Sequence, residues 1–320
     1  MKFVTDIIGE ELKVFEQKFA DAVKSKTALL DTVMQYIIKR KGKQLRPMFV
    51  FLSAKMHGEI NESTYRAAAL VEMLHTATLV HDDVVDESME RRGFFSINAI
   101  WKNKIAVLVG DYLLSKGLLL STTHNEFEQL HIMSDAIRQM SEGELLQIEK
   151  TRKLNIDESV YFEIIKNKTA SLLSSACAVG AFSTSQNNEV TEQMKLFGEK
   201  TGIAFQIKDD LFDYGTADIG KPTGNDIKEK KMTLPLIYTL NKVDKLTKNK
   251  LIYIVKNNNT DKTKVKWVID TVVQAGGIAY AEAKMIDYRN EALAILQQYP
   301  RTNTSEALAS LVRYTTDRKY

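Results

Sequence analysis

The chain has 320 residues, 44% of them apolar and 27% charged, with a net charge of +3. These are the proportions of an ordinary globular protein, and the balance of acids and bases gives no reason to invoke nucleic acid as a partner. The single cysteine, Cys177, excludes an internal disulfide and points to a reducing, cytoplasmic setting.

The N-terminal MKFVTDIIGEELKVFEQ carries early acids and no long apolar core, so it does not read as a signal peptide. Only four prolines occur, at positions 47, 222, 235 and 300, and apolar residues recur at helical spacing, which predicts an all-α fold. A first helix is expected from about Thr5 to Ser25 and a second from about Leu29 to Lys39. KGKQLRP is a basic turn whose Pro47 suits the first turn of a helix running to about Met56. After HGEINES, a long helix from Glu62 to about Asp86 is expected, then RRGFFS, then helices near Ile97 to Trp101 and Lys104 to Ser121. The stretch IAVLVGDYLLSKGLLL, interrupted by Asp111 and Lys116, reads as too short to span a bilayer, so no integral membrane segment is expected. Further long helical patterns cover Glu126 to Lys150, Val160 to Phe182 and Glu189 to Phe212. Cys177, among the small apolar residues of SLLSSACAVGAF, reads as a packed core thiol. Gly215 to Thr233 holds three glycines and Pro222, and its position after an acidic motif makes it a candidate lid or a plain surface connection. The remainder alternates helices with short polar turns, and nothing marks a linker, so one helical domain over residues 1–320 is expected.

Two stretches carry chemistry. LVHDDVVDES places Asp82, Asp83 and Asp86 at the end of an apolar run, with Asp82 and Asp86 one helical turn apart. QIKDDLFDYG repeats the same D-D-x-x-D spacing with Asp209, Asp210 and Asp213. Both clusters end helical runs, where the helix dipole disfavours negative charge, so each needs cations nearby. All-oxygen ligands suit Mg²⁺ better than zinc, and Mg²⁺ completes its octahedron with water and phosphate. The EF-hand spacing of glycine and glutamate is absent. Lys43, Arg46, Arg91, Arg92 and Lys168 lie close in sequence to these motifs or to the turns before them. Singly each reads as a solvated charge; with two acidic clusters they describe a pocket for diphosphates, whose chemistry is metal-assisted loss of diphosphate.

KGKQLRP, HTATLVHDDVVDES, RRG, GDYLLS, KTASLL, FQIKDDLFDY and GKPTGNDIKEKKMTLPLIY occur in this order over most of the chain. In these motifs the chain resembles the trans-isoprenyl (polyprenyl) diphosphate synthases. The resemblance implies an isoprenoid synthase fold, a bundle of long antiparallel helices around a deep central cavity, assembled as a homodimer. It implies successive head-to-tail (1′-4) condensation of isopentenyl diphosphate onto an allylic diphosphate such as farnesyl or geranylgeranyl diphosphate. It further implies that Asp82, Asp86 and Asp209 ligate Mg²⁺, with three ions on the allylic diphosphate, and that Asp83, Asp210 and Asp213 act through bound water. By the same resemblance, Arg91, Lys168, Lys221 and Lys231 bind the allylic diphosphate, and Lys43, Arg46, His75 and Arg92 hold isopentenyl diphosphate. Thr169 and Gln206 match polar residues beside the reacting carbons, and the departing diphosphate takes the last proton. Where the family has Gly-Lys, this chain has Lys230-Lys231, so Lys230 competes with Lys231 for that role.

Product length follows from the helix below the first aspartates. Ala77 and Thr78 stand five and four positions before Asp82 and are small, whereas short-chain members of the family carry aromatics there; Met73 and Leu74 narrow the path further down. Eight helical residues give only about 12 Å of depth, so a product of about C30 to C40, of the kind used for quinone side chains, runs past them. Leu113 to Leu120 supply candidates for the floor. A short-chain synthase of about C15 to C20 is the alternative, argued from the same depth. A class I terpene cyclase would lack the second DDxxD and KGKQLRP, and a non-catalytic subunit would have lost one or both aspartate motifs. Release of so apolar a product from a soluble enzyme suggests peripheral contact with membrane lipid.

Overall fold

The computed structural model describes residues 1–40, 42–91, 93–153, 157–215 and 224–317, with the side chains of 152 and 153 excepted. The first half contains α1 (Lys2–Ala22), α2 (Ala28–Lys39), α3 (Leu45–His57) and α4 (Glu62–Val85). A short antiparallel ribbon of β1 (Glu90–Arg91) and β2 (Phe94–Phe95) follows, then α5 (Ile97–Thr123) and α6 (Phe127–Lys153). Next come α7 (Glu158–Ile165), a π turn (Lys166–Ala170), α8 (Ser171–Ser185) and α9 (Asn188–Phe212). The last part holds α10 (Asn225–Lys228), α11 (Leu234–Lys242), α12 (Lys245–Asn257), α13 (Lys262–Gln274), α14 (Gly277–Leu296) and α15 (Asn303–Asp317). The all-α expectation holds, with the ribbon as the departure: two residues per strand leave no alternation to read. The chain divides into two compact units interleaved in sequence: Met1–Ile137, Ser175–Lys195 and Thr302–Leu308 form one, and Arg138–Ser174, Leu196–Arg301 and Ala309–Tyr320 the other.

In the first unit, α3 is buried without interruption from Pro47 to Ala54, as befits a helix apolar all round. Gly180 of α8 meets it so closely that a Cβ there would lie 2.4 Å from the Val50 carbonyl oxygen. Cys177 is fully buried, and burial pushes its thiol up to about 12, so it is the inert core residue expected. Helix α4 opens on a reciprocal cap: Asn61 accepts the Thr64 N–H at 3.1 Å, and the Thr64 hydroxyl oxygen accepts the Asn61 N–H at 3.4 Å. It then packs along α5, where glycines permit close approach. A Cβ at Gly110 would fall 2.1 Å from the His81 ring, and one at Gly117 would lie 3.0 Å from Leu70.

The two helices expected near Ile97 and Lys104 are present within α5, separated by a kink at Lys102, whose φ is +72°. At 27 residues with a mean hydropathy of 1.4 over its most apolar window, α5 is long and apolar enough to cross a membrane by length and composition alone. This corrects the expectation that the stretch is too short, although the core helix of a soluble protein passes the same test of length and composition. A third of that window is buried, and Val107, Leu108, Leu118 and Leu119 are exposed.

The second unit packs α7, α9 and α11 to α14 around Tyr161, Ile207, Tyr214, Ile227, Leu236 and Val268. Between α7 and α8 the backbone takes one π turn, closed by the Ser171 N–H on the Lys166 carbonyl. Such single turns recur at functional sites. Glycines seat this segment from both sides. A Cβ at Gly143 of α6 would stand 2.9 Å from the Lys168 nitrogen, and one at Gly202 of α9 would stand 2.6 Å from Ala170 Cα. The obstacles are main chain and cannot swing aside. Gly202→Ala is therefore expected to cost about 1–3 kcal/mol of stability, read as a lower urea midpoint with unchanged slope.

Candidate active site

In the first unit, α4 ends on its acidic motif. Asp83 is buried, 3% exposed, and both Arg91 Nε and Nη2 reach its Oδ1 at 2.7 Å. A buried carboxylate requires such a partner. The ribbon supplies it by folding back through Gly93, whose φ is +77°. The Asp83 carbonyl is also held, by Ser88 N–H at 2.9 Å and Asn98 Nδ2 at 3.1 Å, and the Tyr36 hydroxyl pins the ribbon by donating to the Phe95 carbonyl. Asp82 is half-buried and Asp86, the cap residue of α4, is exposed. The motif is thus graded, from the buried Asp83 through Asp82 to the exposed Asp86.

Arg46 and His75 are brought together, with Nη1 2.8 Å from Nε2. Arginine can only donate, so Nε2 is the bare nitrogen of a neutral imidazole. Lys43 is exposed nearby in sequence, and Arg92 lies outside the described residues. A cavity of about 1000 Å³, open mouth included, is lined within this unit by Gln44, His75, Asp83 and Arg91 on its polar side and by Phe15, Phe19 and Leu79 on its apolar side. Of the two positions tied to product length, Ala77 is wholly enclosed, whereas Thr78 is half-buried with its hydroxyl on the His75 carbonyl at 2.9 Å. Met73 and Leu74 are buried, as is Leu113 among the floor candidates.

In the second unit, α9 ends on the other motif, which buries two of its three aspartates, Asp210 and Asp213. Asp209 is exposed and Asp210 is buried, 6% exposed. The Tyr161 hydroxyl donates to Asp210 Oδ2 at 2.7 Å, and Gln206 Nε2 donates to Oδ1 at 2.9 Å. Gln206 Oε1 in turn accepts from the Thr169 hydroxyl at 2.8 Å. Asp213 serves α10: its carboxylate accepts the N–H groups of Asn225 at 2.7 Å and Asp226 at 3.1 Å, and its carbonyl accepts that of Gly224 at 3.0 Å. Lys168, presented by the π turn, is paired with Glu144 and reaches Gln147 at 3.4 Å.

Lys231 stands 2.5 Å from Glu229 and 3.7 Å from Asp226, and its N–H binds the Asp226 carbonyl at 2.8 Å. Lys230 sits at φ +59°, a conformation glycine adopts without strain. That is the position where the resembled family has glycine, so the backbone pairs Lys231 with the family's lysine. Lys221 and the part of the candidate lid from 216 to 223 lie outside the described residues.

Sequence reasoning missed Tyr161, Glu144 and Asp226. Tyr161 sits in the apolar face of its helix and Glu144 in an unremarked helix, and nothing in their spacing sets them apart. Asp226 had a signal, an acid that follows two glycines and precedes three lysines in GKPTGNDIKEKK.

The donor set fits Mg²⁺. Asp82, Asp86 and Asp209 offer oxygen at helix ends that disfavour negative charge. Among the described residues no group of three or more acidic, histidine or cysteine side chains converges. Neither motif alone closes a cage, which suits an ion that takes one or two carboxylates and fills its shell from water and phosphate.

The sequence model of the polyprenyl synthetase family matches residues 26–272. The chain is 34% identical to an all-trans-nonaprenyl-diphosphate synthase (geranyl-diphosphate specific) of Rhodobacter capsulatus, over 97% of this chain and 96% of that one. The crystal structure of a decaprenyl diphosphate synthase from the same organism matches at a TM-score of 0.93 and 31% identity, covering 98% of each chain. That of a geranylgeranyl pyrophosphate synthase from Bacteroides thetaiotaomicron matches at 0.84 and 36%, covering 99% and 98%.

Burial holds the Asp210 carboxyl up at about 7, with Asp226 adding to it, and burial likewise holds Asp226 at about 6. Unfolded carboxyls lose their protons near pH 4, roughly, so between there and neutrality the folded chain binds more protons and stability falls as pH rises. In EDTA, the thermal midpoint is expected to be lower at about pH 8 than at about pH 5.5, and Asp226→Asn is expected to narrow the gap.

Proposed function

The chain belongs to the polyprenyl synthetase family, and on that premise we propose how its residues divide the work of a prenyltransferase that makes a product of about C30 to C40. The enzyme joins isopentenyl diphosphate to an allylic diphosphate head to tail, repeatedly. The observation that carries the reading is that each motif buries its middle aspartate on a protein partner and keeps an exposed aspartate at its helix end, Asp86 in the first and Asp209 in the second.

Asp82, Asp86 and Asp209 hold magnesium, three ions with substrate present. Magnesium, when bound, neutralises the diphosphate that departs. Arg91, Lys168 and Lys231, and by the resemblance Lys221, fix that diphosphate in place. Lys43, Arg46 and His75, with Arg92, hold the diphosphate of isopentenyl diphosphate; the neutral His75 contributes a hydrogen bond and no charge. Thr169 and Gln206 border the carbons that carry the positive charge once the allylic C–O bond breaks. The double bond of isopentenyl diphosphate attacks that cation, and a proton then leaves to the released diphosphate.

The whole chain, 1–320, acts as one synthase domain in the cytoplasm. It pairs as a homodimer through the exposed apolar stripe of α5, Val107, Leu108, Leu118 and Leu119, which monomers rarely leave in water. Product release draws on peripheral contact with lipid.

Incubation with farnesyl diphosphate, isopentenyl diphosphate and Mg²⁺ is expected to give a discrete product of about C30 to C40 that EDTA and Asp82→Ala both abolish. No elongation would refute the synthase; arrest at about C20 would refute the length. Since Thr78 and not Ala77 presents surface, Thr78→Phe is expected to shorten the product, while Ala77→Phe also lowers stability. An unchanged product distribution in Thr78→Phe would sink this account of length.

A further inference from the structure

In the second unit, four side chains form a hydrogen-bond chain: Tyr161, Asp210, Gln206 and Thr169. The Tyr161 ring is 4% exposed, and its hydroxyl lies 2.7 Å from Asp210 Oδ2. Asp210 accepts at both oxygens, from the phenol at Oδ2 and from an amide N–H at Oδ1. Gln206, 2.9 Å from Oδ1, must therefore turn its NH₂ toward Asp210 and its carbonyl the other way. That carbonyl, 2.8 Å from Thr169 Oγ1, takes the single hydroxyl hydrogen of Thr169. What Thr169 has left is lone pairs.

We infer that Tyr161 and Asp210 are positioning residues that lock the Gln206 amide in one orientation, so that Thr169 offers a ligand only hydrogen-bond-accepting, partly negative oxygen. This rests on the reading that Thr169 borders the reacting carbons. The polarity matters because an amide free to flip would present Nε2 to Thr169, and the hydroxyl would then point its hydrogen outward. A donor there repels a forming cation; an acceptor stabilises it. Asp210 thus acts through Gln206 and never needs to touch the substrate. The π turn carrying Thr169 and the helix carrying Gln206 and Asp210 keep the three in register through the Gly202–Ala170 contact.

Asp210→Asn is the same size and reverses the logic. Its oxygen accepts from Tyr161, its NH₂ demands the Gln206 carbonyl, and Thr169 is left facing a donor. Tyr161→Phe removes the anchor alone. The measurements are kcat and KM, thermal midpoint, and the dissociation constants of two diphosphate probes: an allylic analogue with a protonated dimethylamino group in place of the branching carbon, and its uncharged isopropyl counterpart. Asp210→Asn is expected to lower kcat by about tenfold or more with KM little changed, and to lose about tenfold in preference for the charged probe. Tyr161→Phe is expected to move both in the same direction by a smaller factor, with the fold intact. Thr169→Val separates the layers. If it loses the preference while Tyr161→Phe and Asp210→Asn keep it, the positioning role is overturned and the reading of Thr169 stands. If all three keep it, both fall. Should Asp210→Asn not fold, the preference measured on Tyr161→Phe decides the matter.

Discussion

A carboxylate taken out of water needs a partner that water no longer supplies. That requirement organises both acidic helix ends. Asp83 obtains Arg91, and Asp210 obtains Tyr161 and Gln206. Their neighbours Asp86 and Asp209 stay at the surface, at the end of a helix where backbone carbonyls already concentrate negative charge. The buried partners fix the helix ends in place, and the surface carboxylates make those ends wait for a cation. Neither half suffices alone: without the buried pair the exposed acids would have no defined direction.

Much of this was legible in the sequence. The repeated D-D-x-x-D spacing, the scarcity of proline and the helical periodicity gave the fold class and most helix ranges, because long amphipathic helices write their period into the chain. The site was harder. Spacing placed Asp82, Asp83 and Asp86 on one helix but did not say which faced inward; that depends on Arg91 returning through a ribbon too short to leave a pattern. Tyr161 was hidden for a similar reason. A tyrosine on the apolar face of a helix looks the same whether its hydroxyl is wasted or carries a bond. Asp213 showed another limit: it matches the motif, yet its carboxylate caps α10.

The packing beneath the site is built from subtraction. Gly143, Gly198 and Gly202 bring helices against the segment from Asn167 to Ser174 at distances no side chain allows, and Gly180 does the same in the first unit. Close main-chain approach makes these contacts stiff, since there is no rotamer to adjust. Stiffness at the π turn matters because Lys168 and Thr169 sit on it, and a reacting group displaced by a fraction of an ångström loses alignment.

Gly110 extends that point beyond its own helix. The space left by its missing methyl is filled by the His81 ring, which thereby lies 3.2 Å from the Val107 carbonyl and 3.6 Å from Asp111. His81 is bonded directly to Asp82 in the chain, so whatever evicts the ring turns the backbone from which the first aspartate projects. A residue with no charge and no hydrogen-bonding side chain, the glycine that opens GDYLLS, therefore helps to set the aim of one that has both. In a family tree or a library of random variants, such a position should tolerate as little change as the carboxylate itself, and a search for chemistry alone would pass it over.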